Sequence, residues 1–287
     1  MSHQQSFTLI ELMTVVGIIA ILAGLMLVGY NIFFSEANIG SSMRFDSSIH
    51  HSLGYALVGD WKLDDNAANS TVVDTSGNSN DGTFYSNGSE DNTANHSVDG
   101  ANGRALDFDG VDDYVYFSNP PSLNEFNKLT VTAWIKPRSF PSFARIVEKN
   151  IWDAGSFVLM VYSDNPQIQF GVSNQEDNRK TVTMNSEVPL NKWAYIVGSW
   201  DKEQMKIYFN GREDATPVDQ SGFISSTKGV RISDNSSTFD GYIDQVRVYK
   251  DALSTSQVKQ QYYTGLQRLY KKGLITREEY IKRVVQK

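Results

Sequence analysis

The sequence predicts a mostly β protein in three parts: an apolar N-terminal helix, an antiparallel β-sandwich, and a short C-terminal helical hairpin. Three observations carry this reading. Residues 12–30 contain no charged side chain. From residue 57 the pattern changes to short alternating apolar runs separated by Gly, Asn, Asp and Ser clusters, the mark of antiparallel strands. From Leu266 onward helical spacing returns, interrupted once by Gly273.

Composition sets the outer bounds. The chain has 287 residues, 40% hydrophobic and 12% aromatic, enough for one large core with appendages. It has no cysteine, which excludes disulfides, thiolate metal sites and a cysteine nucleophile and leaves oxygen-ligated metal as the remaining staple. Net charge is −7, but residues 265–287 hold seven Lys/Arg against Glu278 and Glu279, a local +5 that leaves −12 for the rest. A body so acidic argues against nucleic acid as a partner and suits cation binding or simple solubility.

The N-terminal run is long enough to cross a bilayer, since about 20 apolar residues in a helix span a core of about 30 Å. A secretory signal peptide would need a basic leader and a small-x-small cleavage site; Met1–Ser6 has no Lys or Arg, and Ala20 and Ala23 are wrongly spaced. Glu11 in Phe7-Thr-Leu-Ile-Glu-Leu-Met13 decides against a plain anchor. A carboxylate at the edge of an apolar helix calls for a partner, because a charge near the bilayer centre costs about 2.5–3.5 kcal/mol. The heptapeptide resembles the processing motif of type IV prepilins and type II secretion pseudopilins. That resemblance implies cleavage between Ser6 and Phe7 by a prepilin peptidase, methylation of the new Phe7 amine, and pairing of Glu11 with the amine of a neighbouring subunit during assembly. The sequence departs from the family at Ser6, where glycine is usual, and in its uncharged leader. Residues 35–56 remain compatible with helix.

The sandwich strands read as Leu129–Ile135, Phe157–Tyr162, Ile168–Val172, Trp193–Trp200, Met205–Phe209 and Tyr242–Tyr249, with Asn210-Gly211 a tight-turn dipeptide. An ordered set of stretches resembles the laminin G-like, concanavalin A-like superfamily over about 200 residues. These are Val58–Asp64, Asp74–Thr83, Arg104–Val115, Thr132–Ile135, Lys192-Trp193 with Tyr208–Gly211, and Gly241–Tyr249, where Gln245 replaces a usual acid. The resemblance implies a jelly roll of two curved sheets, often with Ca²⁺ near a sheet edge, serving glycan or protein binding or acting merely as a spacer. Asp109, Asp112 and Asp113 share one turn, and Asp240 and Asp244 flank the closing strand; these five are the candidate metal ligands, since calcium takes six to eight hard oxygens. The alternative is that they only shape turns and aid solubility. Trp152, in Lys149–Gly155, is the loop candidate for stacking on a sugar, set against an ordinary surface aromatic. No catalytic residue is assigned: the sequence has no nucleophile elbow, P-loop, dinucleotide glycine pattern or His-Glu-x-x-His, and Glu148, Glu176 and Glu187 stand alone.

The tail Leu266–Val285 reads as two short helices, the second capped by Thr276 with Glu279 at the capping-box position, similar to C-terminal hairpins of the SHOCT type. Leu266, Leu269 and Tyr270 on one helix and Tyr280, Ile281 and Val284 on the other form stripes that must dock on the head or on another subunit.

The resulting organisation is a leader at 1–6, a pilin-like helix at 7–56 with its span at about 9–30, a sandwich at 57–263 and a basic hairpin at 264–287. It predicts a single-pass protein of the inner membrane or a surface pilus that meets other pilin-like subunits through its N-terminal helix and presents a lectin-like head to a glycan or protein in adhesion. Two rivals remain: an anchored lectin-like protein that forms no filament, and a surface carbohydrate-active enzyme.

Overall fold

A computed structural model describes residues 13–24, 54–118, 120–150, 153–176 and 178–285. Residues 13–24 are helical, with Met13, Val15, Ile18, Ile21 and Leu22 exposed. Among the described residues no helix is long and apolar enough to cross a membrane. The remainder of the expected 9–30 span, with Ser6, Phe7 and Glu11, lies outside the described residues.

The head is two antiparallel sheets packed face to face. The first runs Arg212–Glu213, Gln204–Phe209, Ala194–Trp200, Leu129–Pro137, Asp240–Tyr249, Arg104–Asp109, Ser97–Asp99. The second runs Arg179–Thr183, Ile168–Ser173, Ser156–Val161, Arg145–Lys149, Val230–Ser233, Tyr114–Phe117, Gly82–Ser86, Thr71–Val72. Strand Leu57–Trp61 joins the first sheet by pairing with Asp240–Tyr249. Alternation sends Val131, Ala133 and Ile135 of one sheet and Phe157, Leu159 and Val161 of the other into a shared core. The expected turn at Asn210-Gly211 is present, both residues having positive φ (+49° and +82°), which the dipeptide tolerates at little cost.

A second hydrophobic layer covers the outer face of the first sheet. Its sheet side is Trp134, Trp193, Tyr195, Val197, Tyr208 and Tyr249; its other side is a helical hairpin contributing Val258, Tyr262, Leu266, Leu269 and Tyr280. The hairpin is therefore docked on the head. Its first helix, Thr255–Lys271, opens with a capping box between Ser254 and Gln257, so residue 264 falls inside one continuous helix. The polar run from Thr255 to Gln261 has no apolar stripe of its own, and Ser254 with Gln257 supplies the start signal. Gly273 (φ +71°) turns the chain, and Thr276 Oγ1 accepts the Glu279 amide at 3.1 Å to begin Arg277–Val285.

Trp61 shows how tightly the inner core is specified. It is fully buried, its ring lies 4.3 Å from Phe117, and its Nε1 donates to the Asn80 carbonyl at 2.9 Å. Trp61→Ala removes the ring and orphans that carbonyl; a loss of about 3–5 kcal/mol is expected in urea unfolding followed by near-UV circular dichroism.

Candidate functional site

The turn between strands Arg104–Asp109 and Tyr114–Phe117 gathers Asp109, Asp112 and Asp113, each offering one oxygen, all within 4.8 Å of one another. Gly110, at φ +79° and packed against Asp240, permits the reversal. The carboxylates divide their oxygens between two tasks. Asp109 Oδ1 accepts the Val111 amide at 2.8 Å, Asp112 Oδ1 accepts the Asn87 amide at 3.0 Å, and Asp113 Oδ2 accepts the Asp109 amide at 3.0 Å. These bonds hold the turn. Asp113 is 1% exposed, and its Oδ1 has no hydrogen-bond partner among the described residues.

Burial pushes the Asp113 carboxyl up, and the charge of Asp109 acts in the same direction; the nearby Ser86 hydroxyl, the Asp109 amide and His96 oppose them. The His96 ring lies between two acids, with Nε2 2.9 Å from Asp91 and Nδ1 3.6 Å from Asp113. Residues 57–113 contain twelve Asp/Glu against Lys62 and Arg104, so the turn sits in the most acidic part of the chain. An unsatisfied buried carboxylate oxygen beside two further carboxylates is a donor set that fits a hard cation.

Asp240 pairs in register with Asp109, but its carboxylate is engaged: Arg138 Nε donates to Oδ1 at 2.8 Å and the Ser139 hydroxyl donates to Oδ2. Arg138 also bonds Asp107 and the Phe108 carbonyl, tying two strand ends together. Asp244 lies four residues further along the strand, about 13 Å away at about 3.3 Å per residue, beside Trp134 and beneath the hairpin. The five acids thus separate into a turn cluster of three, a strand-end ion pair and a buried carboxyl. Trp152 lies outside the described residues.

The outer face of the second sheet holds residues that the motif reading missed. Register aligns Thr83, Tyr116, Arg231, Glu148, Val158 and Gly171 in one row across the strands. Tyr85 and Tyr114 form the adjacent pair, stacked at 4.9 Å and 8°. Arg231 lies 5.2 Å over the Tyr116 ring and 3.3 Å from Glu148, which also bonds Arg145 at 3.2 Å. Burial and then the charge of Asp234 push the Glu148 carboxyl up, opposed by the two arginines. The three tyrosines and Arg231 are half-buried. The available signal was the alternation in Tyr114-Val-Tyr-Phe117: with Val115 and Phe117 in the core, the tyrosines must face outward.

Buried Asp244 accepts the Asn102 amide at 2.8 Å. Burial pushes its carboxyl well above the usual carboxylate range, helped by Asp64 and opposed by that amide, Lys272 and Arg247. A folded-state pKa above the unfolded value gives stability that is full below the unfolded pKa and is lost as pH rises through the folded one. Asp244→Asn removes this loss. Its melting temperature relative to the parent is expected to climb as pH rises above the ordinary carboxylate range; parallel pH profiles would show that the buried carboxyl does not titrate as described.

A family model described as the concanavalin A-like lectin/glucanases superfamily matches residues 109–259, and one described as the prokaryotic N-terminal methylation motif matches residues 1–27. No curated protein matches the chain. Among solved structures, domain 4 of AbnA, a GH43 extracellular arabinanase from Geobacillus stearothermophilus, in complex with arabinotriose, superposes with TM-score 0.59 at 20% identity, covering 71% of this chain and 97% of that domain. The binding domain of Paraclostridial Mosquitocidal Protein 1 gives 0.58 at 14%, and that of botulinum neurotoxin serotype D gives 0.58 at 15%; each covers 75% of this chain. The chain spans about half the length of these two toxin domains, 53% and 52%. At such identities the likeness establishes the fold. The family match covers more than half of the sequence, and with it the chain, which carries a prokaryotic methylation motif at its N-terminus, belongs to the concanavalin A-like lectin/glucanases superfamily.

Proposed function

We propose that the protein is a type IV pilin-like or pseudopilin-like surface subunit whose sandwich head recognises a glycan outside the cell. One observation carries this reading: a single chain joins a methylation motif at residues 1–27 to a lectin-type fold. The almost wholly apolar exterior of residues 13–24, with Thr14 its one polar side chain, agrees with it, because a helix apolar nearly all round belongs in lipid or against other helices. Prepilin peptidase then cleaves between Ser6 and Phe7, and Glu11 pairs with the Phe7 amine of a neighbouring subunit, each ion offsetting the desolvation of the other. The decisive measurement is the intact mass of the membrane fraction. A chain beginning at methylated Phe7 is expected; one retaining Met1 or Ser2 would make the head a lectin on a plain anchor.

For the ligand, the half-buried Tyr85, Tyr114 and Tyr116 supply apolar ring faces, with Arg231 and Glu148 as adjoining hydrogen-bonding groups, the combination that suits a sugar ring and its hydroxyls. The arabinotriose complex of the AbnA domain makes arabinan oligosaccharides the first ligands to try. Tyr116→Ala is expected to weaken oligosaccharide binding by at least tenfold while leaving the melting temperature within a few degrees. The reading assigns no catalytic role; the similar toxin domains are themselves named as binding domains.

Calcium enters the proposal through Asp109, Asp112 and Asp113. It would satisfy the orphaned Asp113 oxygen and neutralise a repulsive cluster, with the remaining ligands drawn from water or backbone. The expected result is a rise in melting temperature on adding calcium and a fall with chelator, both abolished in Asp112→Asn. A midpoint indifferent to chelator would remove calcium from the reading.

A further inference from the structure

The seat of the C-terminal helix is not a plain apolar surface. Register places Asp244, Trp134 and Tyr195 in one row on the outer face of the first sheet, and Arg247, Thr132 and Val197 in the next. Between Asp244 and Arg247 the strand bulges, with Gln245 at φ +52°, a backbone conformation that a side-chain-bearing residue adopts only under constraint. Gln245 and Arg247 line a cavity of about 20 Å³ together with Asn102, Trp134, Tyr195 and Gln261. Three buried atoms on these two rows have no hydrogen-bond partner among the described residues, Asp244 Oδ1, Gln245 Nε2 and Thr132 Oγ1, and of these three residues Gln245 lines the cavity. Each unmade bond costs about 1–3 kcal/mol. The cavity has room for about one water, too few to serve three groups spread over two rows.

The helix meets this floor in a particular way. Tyr262 stacks parallel to Trp134 (5.9 Å, 19°) and to Tyr195 (6.4 Å, 20°). Gln261 accepts the Tyr195 hydroxyl at 2.7 Å. Gly265 stands where any side chain would collide with the Trp134 ring, although glycine in a helix interior costs about 1 kcal/mol relative to alanine. The hairpin takes no part in the sheets: strands Leu57–Trp61 and Asp240–Tyr249 pair without it, and the family match stops at residue 259, within the first turns of the helix.

We infer that this face is a second binding surface, for a neutral saccharide chain, and that the C-terminal helix lies over it as a built-in competitor, Tyr262 holding the stacking position on Trp134 and Tyr195. A sugar ring in place of Tyr262 would set its C–H face on the same two rings. Its hydroxyls would reach the groups left unpaired on this face: the Asp244 carboxyl, a donor while it holds its proton and an acceptor once it loses it, a donor at Gln245, and either role at Thr132. With both an acid and an arginine on the floor, a neutral chain suits it better than a charged one. Apparent affinity then equals the intrinsic affinity reduced by the fraction of molecules with the helix lifted. The surface shares its ligand class with the tyrosine face of the second sheet, so this step rests on the glycan reading, but it uses none of the same residues.

The test uses full-length protein in detergent, with arabinotriose, xylohexaose, cellohexaose and chitohexaose as ligands, read by calorimetry and tryptophan fluorescence. Gly265→Leu forces the helix off Trp134, and Tyr262→Ala vacates the stacking position; faster tryptic cleavage at Lys271 and Lys272 reports opening. At least a tenfold gain in affinity for one oligosaccharide is expected in both, erased by adding Trp134→Leu and retained on adding Tyr116→Ala. Opened variants with native far-UV circular dichroism and cooperative unfolding that bind none of the four more tightly would overturn the inference. So would a gain that vanishes with Tyr116→Ala and survives Trp134→Leu, which would place all binding on the second sheet. Should Gly265→Leu lose its native spectrum, Tyr262→Ala decides alone.

Discussion

The head depends on one strand making two bonds along the same edge. Asp240–Tyr249 pairs with Leu129–Pro137 on one side; on the other it pairs first with Arg104–Asp109 through Asp240–Ile243, and then with Leu57–Trp61 through Val246–Tyr249. The change of partner between Ile243 and Val246 coincides with a bulge at Asp244–Arg247, which lies in the ladder with Leu129–Pro137 on the opposite edge and where Gln245 adopts positive φ. Closure at this strand brings Leu57 opposite Tyr249, so the chain enters the head beside the point from which the hairpin leaves. Asp240 and the aspartate turn stand at the other end of the strand, about 30 Å away at about 3.3 Å per residue. The candidate cation turn is therefore far from the residue through which residues 1–56 join the head.

The same junction is pinned by a buried ion pair. Arg247 Nε donates to Asp60 Oδ1 at 2.8 Å, and Arg247 Nη2 donates to Gln245 Oε1 at 2.8 Å. Burial alone would raise the Asp60 carboxyl, but the Arg247 guanidinium and the Thr75 hydroxyl hold it below its ordinary value. Such a pair adds little net stability over a hydrophobic one, while breaking it leaves a buried charge uncompensated. We read its role as register: a strand slipped by one residue would turn Arg247 toward the core and leave Asp60 unpaired.

Much of this architecture was legible because strand period and turn chemistry are local. Leu129–Ile135, Ile168–Val172 and Met205–Phe209 are recovered within two residues of their observed limits, and Asn210-Gly211 turns as its dipeptide requires. The aspartate turn was legible for the same reason, its three acids lying within five residues of sequence. What sequence could not supply was register. Asp240 and Asp244 share a strand and a face, yet whether either reaches the turn depends on which residue stands opposite; Asp240 faces Asp109 and is taken by Arg138, while Asp244 faces Trp134. The tyrosine row on the second sheet is likewise assembled from strands distant in sequence. The extent of the first C-terminal helix was hidden by its polar opening, where the cap at Ser254 carries the only start signal.

The hairpin draws these themes together, because it substitutes for a staple that the chain lacks. With no cysteine, the sandwich has no disulfide to hold it, and the second layer over Trp134, Trp193, Tyr195 and Tyr208 adds packing, at about 1.5–3 kcal/mol for each large apolar side chain fully buried. Val258, Leu266 and Leu269 are the efficient part of the contact. The Asp244–Gln245–Thr132 patch works against them, since this layer holds three buried polar atoms that no described residue pairs. Favourable and unfavourable contributions therefore lie side by side under one helix, and the unpaired groups lower the free energy that the apolar contact supplies. A hairpin selected only to stabilise the head would be expected to rest on an apolar floor. One that rests partly on a polar floor, with a glycine at its closest approach to Trp134, is held less tightly than an apolar floor would hold it, and that difference favours a ligand able to pair the polar groups.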